Sequence, residues 1–190
     1  MRPLELLGNT ARAALFTGLE PLSSTGKLAR ALGFARAALI FRGIEAGPRL
    51  CALGPVKVVN RGQLIIGARV TFLGGMIPSE LVTHPGALLQ IGGSTSFNYG
   101  SSYEAYQRVS IGQRCLFASM VRISDRSGSK IAPVEIGDDV WVAHGAIIEA
   151  GVTVGSGSVV AAGSVVIKDV PPRCLAIGNP ARSMQISTMG

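Results

Sequence analysis

From Ile136 onward the chain repeats in sixes. Ile136, Val142, Ile148, Val154, Val160 and Val166 each open a block of six residues, as in Ile136-GDDVW and Val142-AHGAI. The second place in a block is mostly Gly or Ala, and the fifth is small or Val. The stretch "VEIGDDVWVAHGAIIEAGVTVGSGSVVAAGSVVIKDVPP", residues 134–172, holds too much Gly for a helix, and its apolar residues do not simply alternate. The frame returns upstream with interruptions: Ile66-GARVT before Phe72, Ile91-GGSTS before Phe97, then Ile111-GQRCL and Phe117-ASMVR before Ile123.

A fixed period of six predicts a hexapeptide parallel β-helix. Each hexad is one short strand and a turn. Three hexads close a triangular coil of about 18 residues, with the aliphatic first positions stacked inside. The small second and fifth positions are expected near the corners, where bulk would clash. An antiparallel Gly/Val-rich barrel needs period two and varied loop lengths. Six uninterrupted hexads argue against it.

Residues 1–45 lie outside the repeat. "TGKLARALGFARAALIFRGI" reads as a helix with Leu28, Leu32, Ala35 and Leu39 on one stripe, and "LSSTG" at 22–26 reads as a break between two short helices. The helix has two readings: a cap on the open end of the prism, or a membrane-surface anchor. The expected division is a helical extension at 1–45, a β-helix at 46–186 and a tail at 187–190. The sixes break at about 73–90 and at 125–135. The second break, "DRSGSKIAPV", is polar and holds Gly and Pro, and such a loop on a rigid scaffold is where binding sites are built.

Composition narrows the class. The chain of 190 residues has 25 Gly but only 5% aromatic residues, as a closely stacked backbone would. Cys51, Cys115 and Cys174 form no short-spaced pair, so neither a disulfide framework nor a zinc site is indicated. The net charge is +7, but the basic residues are scattered and not interleaved with aromatics, which argues against nucleic acid. Arg30, Arg36 and Arg42 interrupt the best apolar run, and no signal-peptide pattern is present. The expected location is the cytoplasm, with the inner face of the membrane as the alternative that residues 1–45 leave open.

"IGDDVWVAHGAIIEAGVTVGSGSVVAAGSVVIKDVPP" followed by "AIGNPAR" resembles the hexapeptide-repeat, left-handed β-helix acyltransferases, in their sugar O-acetyltransferase branch. The resemblance covers roughly residues 40–186 and is most specific at 134–182. It implies an all-β solenoid of left-handed coils, a homotrimer with active sites between neighbouring prisms, and acetyl-CoA as co-substrate. Acyl transfer to a hydroxyl needs a general base and oxyanion donors, and needs no metal.

Relatives supply that base from a His in the loop after the hexad matching Phe117-ASMVR. Here the aligned text is "ISDRSGSK". Asp125 matches the first acid, Gly128 or a nearby Ser takes the place of the His, and no His occurs between 85 and 143. Aligning on Trp141 places His144 where relatives offer a backbone N–H to the acyl carbonyl, so His144 and Asp125 become the catalytic candidates. Trp141, Ala143, Ala161 and Ala162 match residues along the pantetheine arm, and Lys168 and Arg182 match cations near the CoA phosphates. Asn98, in "SFNYGS", resembles an Asn facing the acceptor; an Asn in a left-handed corner is the competing reading. His84, in "VTHPGA", aligns with no family site and reads as a surface or packed residue.

Three functions remain open: an O-acetyltransferase acting on a sugar hydroxyl in surface polysaccharide or glycoconjugate synthesis; a nucleotide-sugar N-acyltransferase, whose amine needs less base strength; and a trimeric scaffold without the reaction. A γ-type carbonic anhydrase needs three zinc-binding His, and two distant ones argue against it.

Overall fold

The structure, a computed structural model, describes residues 24–186. It is a parallel β-solenoid of about six turns with one helix at its N-terminal end, the β-helix expected from the hexads and matching the left-handed coils that the resemblance implies. Face A is built from Glu45–Ala46, Gln63–Ile66, Leu88–Ile91, Arg108–Ile111, Val134–Ile136 and Thr153–Val154. Face B is built from Cys51–Ala52, Thr71–Phe72, Ser96–Phe97, Leu116–Phe117, Trp141–Val142, Val159–Val160 and Cys174–Gly178, closed by antiparallel Ala181–Gln185. Face C holds Val56–Asn60, Ser79–Thr83, Ser102–Ala105, Arg122–Ser124, Ile147–Ile148 and Val165–Val166. The chain passes A to B to C in every coil, so the prism has three edges, AB, BC and CA.

The first positions of the hexads point inward as expected: Ile136, Val142, Ile148, Val154, Val160 and Val166 are at most 4% exposed. The fifth positions do not lie near the corners. Val140, Ala146, Val152, Ser158, Ser164 and Val170 are buried too, because a turn brings the residue two places before each first position back over the core. Coils stack in register, so like residues form columns. On face B the column runs Phe72, Phe97, Phe117, Val142, Val160, Ala176. Its rings stack, with centroids 5.0 Å apart for Phe72–Phe97 and for Phe97–Phe117.

Many corners carry one left-handed residue, the third after the strand. Along edge AB these are Arg49, Arg69, Ser94, Arg114, Asp139 and Gly157. Along edge BC they are Gly100, Met120, Gly145 and Gly163, so the upper coils of that edge meet the demand with Gly, where a positive φ has little steric cost.

The helix, α1 (Ser24–Ile40), packs over the end of the first coil. It does so through Gly33, Ala37 and Phe41, and the Leu stripe faces outward: Leu28 and Leu32 are 62% exposed and Leu39 77%. Gly33 is required by the close approach, since a Cβ there would sit 2.7 Å from Cys51 Sγ. The small Ala52 on face B leaves room for Phe41 to stack on Phe72 at 5.6 Å. The expected break between two helices falls partly outside the described residues, as do the tail at 187–190 and most of the extension. No described helix is long and apolar enough to cross a membrane.

The two interruptions differ. Residues 126–131 do leave the coil, as an exposed hairpin in which Arg126–Ser127 pairs with Lys130–Ile131. Residues 73–90 are mostly regular: Ser79–Thr83 and Leu88–Ile91 keep their places, and the extra length sits in the two corners, 73–78 and 84–87.

Phe97, fully buried in the ring column and edge-on to Tyr103 at 4.8 Å, tests this core. Phe97→Ala is expected to lower the free energy of unfolding by about 3–5 kcal/mol, read from urea midpoints at unchanged slope.

Candidate active site

The chemistry-bearing residues fall on two edges that flank face C. Edge BC carries Asn98, Ser119, Ala143, His144, Ala161 and Ala162. In each turn of this edge the first residue bonds to the next coil, as in Ala143 N–H to Val160 C=O at 2.9 Å. The third bonds to the previous coil, as in Gly163 N–H to His144 C=O at 2.8 Å. The middle residue does neither. The N–H groups of Ser119, His144 and Ala162 have no acceptor among the described residues. They form a row of outward donors, spaced by one coil, about 4.8 Å. At the same levels edge AB closes such groups: Asp138 Oδ1 accepts from Gln113 N–H at 2.8 Å, and Ser156 Oγ accepts from Asp138 N–H at 3.1 Å. The small side chains of Ala143, Ala161, Ala162 and Gly163 leave the row approachable.

His144 stands exposed in this row, its Nδ1 2.8 Å from Ser119 Oγ. Sequence reading missed Ser119, which is 25 residues away in the chain but directly beneath in space. Asn98 ends the row. Its Oδ1 accepts the Tyr99 N–H at 2.9 Å, and the left-handed place in that corner belongs to Gly100. Trp141 lies half-buried on face B, level with Leu116 and Val159. Its indole N–H is enclosed and has no acceptor among the described residues. Lys168 and Arg182 are both exposed at the C-terminal end of the solenoid, with no ion pair among the described residues.

Edge CA corrects the reading of Asp125. That carboxylate has no exposed surface. It accepts the backbone N–H groups of Tyr106, Gln107 and Arg108 at 2.7, 2.7 and 2.6 Å, tying the previous coil's corner to the base of the hairpin. Three donors offset the cost of a buried charge, and neither oxygen faces solvent to take a substrate's proton.

The same edge holds a cluster that counting in sixes does not reveal. His84 Nε2 lies 2.9 Å from Glu104 Oε1, and the imidazole stacks on Tyr106 at 3.8 Å. The guanidinium of Arg126, from the hairpin, covers the Tyr106 ring at 4.9 Å. Glu104 foremost holds the Tyr106 phenol above its ordinary range, by hydrogen bonding to it. A carboxylate only accepts, so it is His84 Nε2 that carries a proton and donates it to Glu104. The signal available in the sequence was the loop's lost His and a second His elsewhere, but not that the two places share an edge.

The family described as bacterial transferase hexapeptide (six repeats) matches residues 133–168. The chain is 33% identical over 108 residues to the galactoside O-acetyltransferase of Escherichia coli K12, which covers 51% of this chain and 53% of that one. A Schizosaccharomyces pombe protein, provisionally named an acetyltransferase, is 28% identical over 147 residues, 70% of this chain and 71% of that one. Among solved structures, a hexapeptide-repeat acetyltransferase of Vibrio cholerae shares the fold over 97% of this chain and 93% of that one, with TM-score 0.54 and 24% identity. PerB of Caulobacter crescentus, solved with CoA and GDP-perosamine, matches with TM-score 0.55 and 22% identity over 80% and 63% of the two chains.

Asp125→Asn is expected to cost about 2–3 kcal/mol of stability, because the amide presents an NH₂ where two backbone N–H groups now converge. Activity per folded molecule should stay within a few-fold. A large loss of turnover at unchanged stability would return Asp125 to the catalytic list.

Proposed function

We propose that this chain is a member of the hexapeptide-repeat acyltransferase superfamily and transfers an acetyl group from acetyl-CoA to a hydroxyl of a saccharide. The observation that carries the reading is the row of unpaired N–H donors on edge BC with the His144 imidazole standing in it. Pantetheine amides suit such a row, and the N–H of His144 suits the thioester oxygen as charge develops there. Lys168, in the last corner after face C, and Arg182, on the strand that closes face B, are cations with no ion pair among the described residues, suited to the CoA phosphates. Trp141 supplies a donor that the monomer leaves unsatisfied.

His144 is the proposed base. With Nδ1–H donating to Ser119 Oγ, the Nε2 lone pair takes the acceptor's proton. The alkoxide attacks the thioester carbonyl, and the thiolate departs and receives the proton. Asn98, two corners below His144 and one below Ser119, faces the acceptor through its amide nitrogen. A homotrimer belongs to the same proposal, with the acceptor held between a BC edge and a neighbouring copy. The missing loop His, with Gly128 in its place, favours as a second reading an amine acceptor on a nucleotide sugar, which needs less base strength.

Two tests follow. Calorimetry should find CoA bound more tightly than 3′-dephospho-CoA, with Lys168→Ala or Arg182→Ala each losing about 1–3 kcal/mol for a direct contact. Equal affinity for the two ligands would remove the assigned phosphate site.

His144→Ala keeps the backbone donor and removes the base. It should lower transfer roughly 10²–10⁴-fold with little change in CoA affinity, while His84→Ala stays within a few-fold. The reverse outcome moves the base to the His84–Glu104 pair. Wild-type protein that binds CoA but acylates no sugar or amino sugar would leave the scaffold reading.

A further inference from the structure

Helix α1 does two things with two faces. Residues advance by about 100° around a helix. Gly33, Ala37 and Phe41 therefore point one way, onto the first coil, and Leu28, Leu32, Ala35 and Leu39 point the opposite way, directly away from the solenoid. Three of those four are large, and they are among the most exposed apolar side chains described, at 62%, 62% and 77%. Nothing in the prism requires them to be apolar, and Ala or Lys would serve a simple cap as well.

The charge around the stripe is one-sided. Residues 21–44 carry Lys27, Arg30, Arg36 and Arg42 and no Asp or Glu. Arg36 anchors back to the body through Leu53 C=O at 3.3 Å, and Arg42 is exposed just past the helix end. Beside the helix opens an apolar groove of about 420 Å³, lined by Phe34, Ala38, Phe41 and Leu50 with Arg49 at its rim. The structure thus joins an outward Leu stripe, an apolar groove next to it, and cations that form no ion pair among the described residues.

We propose that α1 lies flat in the surface of an anionic lipid bilayer, its Leu stripe among the acyl chains and the flanking Arg36 and Arg42 beside the headgroup phosphates. A second copy of this chain fits poorly on this face, because two such helices would bring their unpaired positive charges together. A neutral partner would leave the cations without complement. A bilayer surface accepts a single helix lying in its plane, and adds electrostatic attraction to the burial of the apolar stripe. The solenoid would then stand on the membrane by its N-terminal end, with edges BC and CA rising from it.

The test uses the full chain and sedimentation with vesicles of phosphatidylcholine, with and without phosphatidylglycerol. The expected result is pelleting with the phosphatidylglycerol vesicles, weakened by salt, and weak or no pelleting with phosphatidylcholine alone. The double variant Leu32→Gln/Leu39→Gln should lower the partition coefficient about tenfold or more, since two exposed leucines leave the lipid. Its thermal melt and its acetyl transfer to a soluble acceptor should match wild type, because neither residue packs on the core or lies on edge BC. The proposal is overturned if the wild-type chain pellets with neither vesicle, which is the outcome if another part of the chain covers the stripe. Equal pelleting by the double variant, or by both lipids, overturns it as well. So does a drop in the variant's oligomeric size by light scattering, which would assign the stripe to a contact between copies.

Discussion

In-register parallel stacking governs this molecule. Each strand takes its hydrogen bonds from the strand one coil away, and that partner is the residue at the same place in the previous turn of the prism. A side chain thus meets its own positional equivalents above and below. Inside, this produces the column of rings from Phe72 to Phe117 and then of valines. At the corners it lines up the left-handed residues and, on edge BC, the unpaired N–H groups of Ser119, His144 and Ala162. The proposed donor site is therefore a consequence of the coil itself: a turn that must leave its middle amide unbonded, repeated where no side chain closes it.

The ends of a solenoid are where stacking fails, since a terminal coil has no next turn to bond. The C-terminal end folds Ala181–Gln185 back antiparallel on Cys174–Gly178. The N-terminal end uses α1, whose Phe41 continues the ring column past the small Ala52. A helix laid across a narrow prism can bury only one stripe. The rest must face outward, so the chemistry of that outer surface is set by something other than the fold.

The hexads made the fold legible because one period fixes which residues point inward. Ile136 through Val166 behave as counted. The inward fifth positions, such as Val140 and Ser158, were not legible from residue size, because small residues suit both a corner and a narrow core. The helix was legible but its packing face was not: Gly33 and Ala37 look featureless in sequence, and they are buried because they are small enough for close approach. Where spacing is fixed, counting in sixes placed Ala143, His144 and Ala161 on one edge, as the structure has them. The site was not legible where inserted residues shift the count. The corners at 84–87 and 125–133 carry extra residues, so His84, Tyr106 and Arg126 share an edge without sharing a multiple of six. Asp125 entered through its match to the first acid of the relatives' loop, and a match of letters does not show that its surroundings are three backbone donors.

The two imidazoles show how the prism assigns roles. His144 and His84 lie on opposite edges of face C, whose longest strands have five residues. At about 3.3 Å per residue the edges are separated by more than about 13 Å, too far for one hydroxyl to meet both on one subunit. Their neighbours differ as well. Ser119 can donate to or accept from His144 Nδ1, while Glu104 can only accept and so requires a proton on His84 Nε2. An imidazole without a carboxylate neighbour on a row of free amides suits a proton that arrives with the acyl acceptor. One pinned by a carboxylate and stacked against Tyr106 beneath Arg126 suits the fixed wall of a binding corner. A site drawing on both edges would need two copies of the chain, edge BC from one and edge CA from its neighbour, and the stacking that places each histidine is also what keeps them apart within one.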